Sequence, residues 1–260
     1  MGKVMVGNAQ LQGMVEEKWS GRADGYSDIV NGEMNGFQKG AWLAEIDKLT
    51  RFGADIVPRV LDIGTGPGFF AIILSQRGWK VTGVDCVPEM LGRARANSAR
   101  YGVAPEFLPM DSHALAFGDG GFDLLLSRNV TWTLYDPVAA YGEWRRVLRP
   151  GGQLLIFDAN WYRHLFDERA MELKRRAERE AYERFKLTPF EESDPEMAKV
   201  MYSSLPMGRN LRPDWDVERL KELGFRDIEV DLDISERVWD EESRVRYSDT
   251  PLFAIRAVKG

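Results

Sequence analysis

The stretch Val60-Leu61-Asp62-Ile63-Gly64-Thr65-Gly66-Pro67-Gly68 constrains this chain more than any other. A short β-branched run that carries an acid and then breaks into alternating glycines reads as a parallel strand turning sharply into a helix. Glycine there lets backbone approach a ligand closely. The next apolar run, Trp79 to Val84, reads as a second buried strand. Asp85 stands at its carboxyl end, where open α/β sheets place ligand-binding groups. A carboxylate in that position is able to accept both hydroxyls of a ribose.

Two nucleotide chemistries use this layout. The dinucleotide fingerprint is G-x-G-x-x-G, whose last glycine permits close helix-to-strand packing beside a pyrophosphate. Here Gly64, Gly66 and Gly68 alternate, and Phe69 stands where that last glycine would be. Asp62, just before the turn, suits an ammonium better than a pyrophosphate. Both features favour a ligand with an amino-acid head and a ribose, with a nicotinamide dehydrogenase as a weaker competitor. The acid, the G-x-G-x-G turn and the later acid resemble motifs I and II of the class I S-adenosylmethionine-dependent methyltransferases.

Further segments fall in the matching order. Pro88 to Tyr101 has helical composition, with Met90, Leu91 and Ala94 on one side and Gly102 as its stop. Ala104 to Leu108 reads as a third strand leading to Met110-Asp111-Ser112-His113, and Phe122 to Ser127 as a fourth leading to Arg128-Asn129-Val130. Glu143 to Gly152 reads as a helix closing into a Leu-Arg-Pro-Gly-Gly turn before a fifth strand, Leu154 to Asp158. The resemblance covers about Arg59 to Asp158. It implies an α/β, Rossmann-like, seven-stranded and mostly parallel sheet with an antiparallel edge strand, helices on both faces and a helical lid. Phe225 to Ile234 and Leu252 to Val258 suit the antiparallel pair at that edge.

The same resemblance implies S-adenosyl-L-methionine as cofactor and S-adenosyl-L-homocysteine as product. It assigns the cofactor cradle to Asp62, Gly64, Thr65, Gly66, Gly68, Asp85, Cys86, Met90, Asp111, Ser112, His113, Arg128 and Asn129, with Asp111 meeting the adenine amino group. Trp19, Arg22, Ala23 and Tyr26 match a Trp-x-x-Arg-Ala-x-x-Tyr segment of small-molecule methyltransferases, resembling the ubiquinone and menaquinone branch, and place Tyr26 at the methionine end. Met90 reads equally as core. Cys86 reads as a small packing residue rather than a nucleophile, because no histidine partner is local.

With 260 residues, 44% hydrophobic and 29% charged, the composition is that of an ordinary globular chain. The net charge of −6 argues against nucleic acid as the main partner, because phosphate binding calls for a basic face. No apolar run is long enough for a membrane helix, the start lacks the apolar stretch of a secretory signal, and one cysteine fits a reducing cytoplasm. No metal-ligand spacing is evident. A monomer or homodimer is expected.

Two segments lie outside the core. Residues 1–50 carry Trp19, Tyr26, Phe37 and Trp42 among polar residues, and 159–212 is longer than a crossover requires. Both reach the carboxyl ends of the strands, so they are expected to cover the site, with 51–158 as the cofactor core and 213–260 completing the sheet. Glu168 to Phe185 has a helical pattern, and its Lys174-Arg175-Arg176 run alternates with glutamates as a solvated face does. A second helix is expected near Pro213 to Leu223.

Methyl transfer from a sulfonium depends mainly on in-line positioning and exclusion of water, worth up to ~7–11 kcal/mol in well-oriented reactions. Trp19, Tyr26, Trp42, Trp132 and Tyr135 are candidates for an aromatic wall facing the cation, with lid packing as the competing reading. His164 and Tyr26 are the candidate catalytic groups. A histidine with an ordinary pKa of about 6.5 serves as base at neutral pH, though a surface or capping histidine is the alternative. Ser127 to Trp132 lacks the Asn/Asp-Pro-Pro-aromatic motif of enzymes that methylate flipped bases. The expected acceptor is therefore a small or medium organic molecule, whose carboxylate Arg128, Arg163 or Arg209 would receive. A protein or RNA acceptor, or a binding module without transfer, are the alternatives.

Overall fold

Along β1 (Arg59–Ile63) the side chains alternate between two covered faces, Leu61 and Ile63 entering one apolar cluster and Val60 the other. A strand covered on both sides is apolar almost throughout, which is why this run shows no alternation. The computed structural model describes residues 6–53, 56–189 and 192–260. Three helices precede β1: α1 (Asn8–Ser20), α2 (Ala23–Asn35) and α3 (Gln38–Leu49). After β1 come α4 (Phe69–Gln76), β2 (Lys80–Asp85), α5 (Pro88–Arg100), β3 (Glu106–Pro109), β4 (Phe122–Arg128), α6 (Pro137–Val147) and β5 (Leu148–Asp158), with a helix between successive strands except between β3 and β4. The rest comprises α7 (Glu168–Phe185), α8 (Pro195–Ser204), α9 (Asp214–Glu222), β6 (Phe225–Asp231), α10 (Ser235–Val238), α11 (Glu241–Arg246) and β7 (Phe253–Lys259).

The strands form one seven-stranded sheet in the order β3-β2-β1-β4-β5-β7-β6. β1 to β5 pair in parallel, and β7 runs antiparallel to both β5 and β6, one place in from the edge. This is the mostly parallel Rossmann-like sheet that the motifs imply. The strand order changes direction between β1 and β4, and at such a switch point the loops diverge and leave a crevice. Ile63 pairs with both Val84 and Ser127, so the carboxyl ends of β1, β2 and β4 come level beside that crevice.

Two apolar layers clamp the sheet. Tyr141 and Trp144 of α6 fill one side with Leu61, Ile63 and Leu125; Trp42 and Ile46 of α3, with α4, fill the other. Wholly buried aliphatic side chains such as Leu61, Ile63, Ile46 and Ile72 contribute about 1.5–3 kcal/mol each. Trp42 is part of this core and not of an aromatic wall at the site. Its ring centroid lies 5.2 Å from that of Phe70 and 5.1 Å from that of Phe157.

The Leu-Arg-Pro-Gly-Gly stretch also differs from expectation. Phe122 pairs with Leu148 but Leu124 with Gln153, so the residues between bulge out of a strand that has already begun. Gly151 takes φ +73°, and a Cβ on Gly152 would lie 2.8 Å from the Arg149 carbonyl oxygen. The 159–212 insertion is divided: α7 packs against α11, while α8 packs against α1. Among the described residues no helix is long and apolar enough to cross a membrane.

Candidate functional site

The loop after β1 owes its shape to its glycines. Gly64, Gly66 and Gly68 take φ of +62°, +52° and +91°, a region that side-chain-bearing residues rarely enter. At Gly64 a Cβ would lie 2.3 Å from Cγ2 of Val130, so the loops after β1 and β4 meet only because no side chain is there. Gly68 caps α4, and Thr65 and Asp62 lie beneath the loop rather than on its surface. Asp62 Oδ2 accepts from Thr65 Oγ1 at 2.6 Å and from the Ala71 backbone N–H at 3.2 Å, in the first turn of α4. A carboxylate is favoured at a helix N-terminus. Burial nevertheless pushes the Asp62 carboxyl up to about 7, against the pull of the Thr65 hydroxyl.

Asp85 ends β2 and faces the crevice. Its Oδ2 accepts from Gly66 N–H at 2.9 Å and its Oδ1 from Val87 N–H at 2.9 Å, which aims the carboxylate and leaves lone pairs for a ligand. Burial raises this carboxyl to about 6 despite those two donors. Around it lies a cavity of about 730 Å³ counting its open mouth. Gly64, Gly66, Cys86 and Met90 form its floor and Ser112 and His113 one end. Arg128 and Asn129 follow from β4, and Trp19 and Tyr26 arrive from the N-terminal helices. Burial pushes the Cys86 thiol up to about 12, so it packs as a neutral group.

Asp62, Thr65, Gly68 and Asp111 do not line this cavity; they shape what does. Asp111 Oδ1 meets the His113 backbone N–H at 2.9 Å and ring Nδ1 at 2.6 Å, and its Oδ2 accepts from Tyr135 at 3.0 Å. Burial opposes its charge, but the His113 contacts and the Tyr135 hydroxyl together hold its carboxyl below the ordinary range. Tyr135 stacks on His113 with centroids 3.7 Å apart, so it belongs to this clamp. Arg128 is not open to a ligand carboxylate: it pairs bidentately with Glu33 at 3.0 and 2.9 Å and lies 4.6 Å from the Phe69 ring. Arg163 is likewise paired, with Asp167 at 3.0 Å, and Arg209 donates to the Ser203 carbonyl at 2.7 Å.

A second cavity, about 1270 Å³ with its mouth, adjoins the first. The two share Trp19, Tyr26 and Asn129, so those residues mark the boundary between them. Trp132, Trp161, Tyr162 and Tyr247 supply further aromatic walls, and Ile29, Lys174 and Ala181 bring in α2 and α7. His164 lines this second cavity and not the first. Burial, and then the charge of Lys174, push its imidazole down to about 4, so it is neutral throughout the physiological range.

The walls are tied down from behind. Asp158, at the end of β5, accepts from the Trp132 backbone N–H at 3.0 Å and from Trp161 Nε1 at 2.8 Å. Arg212, fully buried, lies 3.1 Å from Asp158 and donates to Asp216 at 2.8 and 2.9 Å. Burial works against the guanidinium charge, but Asp216 and Asp158 outweigh it and hold the group well above its ordinary pKa. Two tryptophans of the second cavity thus hang on one buried ion cluster.

Comparison with known proteins fits this geometry. The family described as "Methyltransferase domain" matches residues 61–156, from the middle of β1 to β5. A demethylmenaquinone methyltransferase of Thermus thermophilus is 35% identical over 129 residues, 44% of this chain and 59% of that protein. A ribosomal protein L11 methyltransferase of the same species is 42% identical over 98 residues, 38% of this chain and 37% of that one. Residues 61–156 are a class I S-adenosylmethionine-dependent methyltransferase domain. The chain spans less than two thirds of the length of each of these relatives. A solved Haemonchus contortus phosphoethanolamine N-methyltransferase 2, in complex with S-adenosyl-L-methionine, shares the fold. It has a TM-score of 0.58 at 20% identity, over 84% of this chain and 51% of that one.

The cavities also include residues that motif reading missed. Gln12 and Val15 line the first cavity together with Trp19, at i, i+3 and i+7 of α1, so helical spacing was the available signal. Thr133 and Leu134 follow the Arg128-Asn129-Val130 motif after β4 and carry no pattern that marks them. Tyr247 and Thr250 come from beyond the methyltransferase domain and had no signal at all. Among the described residues no three His, Cys, Asp or Glu side chains gather as ligands for a metal ion.

Proposed function

We propose that this protein transfers the methyl group of S-adenosyl-L-methionine to a small or medium organic acceptor. The first cavity holds the donor, leaving S-adenosyl-L-homocysteine, and the second holds the acceptor. The observation that carries this reading is the shared boundary of Trp19, Tyr26 and Asn129, which lets two ligands meet without leaving the protein. The residues present suit the donor. Asp85 offers ionisable oxygens at the strand end, Met90 and Val87 an apolar side, and Gly64 and Gly66 open backbone. When bound, the cofactor supplies a methyl group already activated on a sulfonium.

The chain's own contribution is positional. Asp85 orients the ribose, the positive-φ loop allows close approach, and the aromatic rings of Trp19 and Tyr26 at the boundary face the positive charge, at ~0.5–2 kcal/mol per ring. Asp62 acts through the loop it braces, and Asp111 through the His113 and Tyr135 clamp. His164 serves as a neutral wall of the acceptor site; with its imidazole at about 4, a role as base at neutral pH is not supported. In this reading 51–158 is the donor core, 1–50 and 159–212 cover the acceptor, and 213–260 completes the sheet. The single cysteine supports a reducing, cytoplasmic setting.

The two relatives differ in the acceptors their names state, demethylmenaquinone and ribosomal protein L11. The second cavity favours the small molecule: it is a recess of about 1270 Å³ with its mouth, walled by Trp19, Trp132, Trp161, Tyr162 and Tyr247 and adjoining the first cavity. The test is incubation with labelled S-adenosylmethionine and a fractionated cell extract. Label should enter low-mass organic products; label confined to protein or RNA would overturn this reading.

A further inference from the structure

We propose that the acceptor is a carboxylic acid whose carboxylate is anchored by the Lys174 ammonium and the Thr250 hydroxyl, in the part of the second cavity that the first does not share. The inference rests on the donor and acceptor assignment above and adds the chemical class of the acceptor. Lys174, Glu178 and Ala181 line the cavity at i, i+4 and i+7 of α7. Arg175 and Arg176 are exposed, as a solvated charge run predicts, but Lys174 keeps only 27% of its side chain exposed. Its ammonium lies 3.6 Å from Glu178, too far for a hydrogen bond, so that pair does not consume its N–H donors. Thr250 lines the same cavity, is 5% exposed, and its Oγ1 has no hydrogen-bond partner among the described residues. A buried hydroxyl left without a partner is costly, and native proteins keep few of them.

The sign of the ligand's charge follows from what the Lys174 ammonium does to its surroundings. His164 is another wall of this cavity, and after burial it is the Lys174 charge that lowers its imidazole, with no carboxylate offsetting it there. At Asp249, next to Thr250, burial pushes the carboxyl up, and Lys174 pulls it down more strongly than Glu178 pushes it up. The ammonium thus outweighs the Glu178 carboxylate both at His164 and at the 249–250 turn. Glu192, the other carboxylate of the lining among the described residues, is already met by Lys18 at 2.6 Å. A positive field in a recess draws in an anion and opposes an ammonium. One ammonium and one hydroxyl match a carboxylate, whose two oxygens accept a bond from each. Neither Lys174 nor Thr250 lines the first cavity, so the carboxylate serves as an anchor and not as the methylated group.

The test is calorimetry at pH 7, with and without S-adenosylhomocysteine, using 4-phenylbutanoate, 4-phenylbutanamide and 4-phenylbutylamine, which share a carbon skeleton and differ in the end group. The carboxylate should bind about tenfold tighter than the amide, with the amine, cationic at this pH, the weakest of the three. Lys174→Met keeps a long side chain and a good helix former, so α7 should persist. It should bring carboxylate and amide within about twofold of each other and leave S-adenosylhomocysteine affinity within about twofold. Lys174→Arg, which keeps the charge, should keep the preference. Thr250→Val has the same shape without the hydroxyl; it should weaken the carboxylate about fivefold without lowering the urea midpoint. Failure of the carboxylate to outbind the amide, a preference that survives in Lys174→Met, or undiminished carboxylate binding in Thr250→Val would overturn the proposal. So would tightest binding by the amine, which would assign this end to Glu178, or displacement of S-adenosylhomocysteine by the carboxylate, which would put it in the first cavity. If the carboxylate preference holds but S-adenosylhomocysteine fails to bind the wild-type protein, it is the donor assignment that has failed.

Discussion

The two cavities are neighbours built in opposite ways. The first is made where strands end: its floor is the loop after β1, its ligand-facing acid ends β2, and its far side follows β4. The second is made of side chains brought from α1, α2, α7, the stretch Leu187 to Pro189 and the segment around Tyr247, together with Asn129 and Trp132 after β4 and Trp161, Tyr162 and His164 after β5. A site built on strand ends inherits the precision of the sheet, whereas a site built on added helices depends on whatever fastens them. Here the buried Asp158–Arg212–Asp216 cluster fastens Trp132 and Trp161, while α2 is tied to the end of β4 by the Glu33–Arg128 pair and α7 packs on α11.

The largest effect should come from that cluster. Arg212→Ala leaves Asp158 and Asp216 buried without their counter-charge and should cost about 3–5 kcal/mol in urea unfolding. A loss below about 1 kcal/mol would mean that the second cavity is fastened elsewhere. Gly64→Ala should be next, because it combines a positive φ with a methyl group driven into Val130. The expected cost is about 2–3 kcal/mol, with a matching loss of S-adenosylhomocysteine affinity. Gly25→Ala, inside α2 with open space around its Cβ position, is the control and should be neutral or stabilising by about 0.5–1 kcal/mol.

Asp85 separates the cavities by pH. Burial sets its carboxyl at about 6, and the ionised form is the better acceptor for ribose hydroxyls. Affinity for S-adenosylhomocysteine should therefore rise about tenfold between pH 5 and pH 7 and then level off. Asp85→Asn should flatten the Asp85 step. Stability runs the other way. A folded pKa above the unfolded value means that the folded state binds more protons between about pH 4 and 6, so this group's contribution falls as pH rises through that window. Asp85→Asn should gain stability relative to wild type over the same interval, and parallel stability curves would contradict the burial assigned to Asp85. The smallest effect belongs to His164. Already neutral, it should tolerate replacement by Gln with less than about threefold loss of turnover and an unchanged pH profile. A loss of a hundredfold would restore it as a base.

The contrast between the cavities also explains what was legible. The strand-end site was written locally: Gly64 to Gly68 need glycine for their backbone angles, and Asp85 follows an apolar run that can only be a strand. The sheet could be read for the same reason. Trp42 misled because its polar neighbours suggested exposure, although Trp42, Ile46 and Leu49 share one buried stripe of α3. Asp62 was placed against a ligand because only its position before the turn was visible, not the Ala71 N–H that it meets. Arg212 was beyond reach altogether. Nothing around it marks a buried arginine, because one of its partners, Asp158, lies far back in the chain.

Calorimetric titration of S-adenosylhomocysteine into Asp85→Ala and Trp161→Ala, side by side with wild type, tests the division of labour most directly. Asp85 lines only the first cavity of the two, the proposed donor site, and Trp161 only the second, the proposed acceptor site. The expected result is a loss of about thirtyfold or more in Asp85→Ala, the size of a charge-assisted hydrogen-bond contribution, and a change within about twofold in Trp161→Ala. Undiminished binding in Asp85→Ala, or an equal loss in both variants, would contradict it.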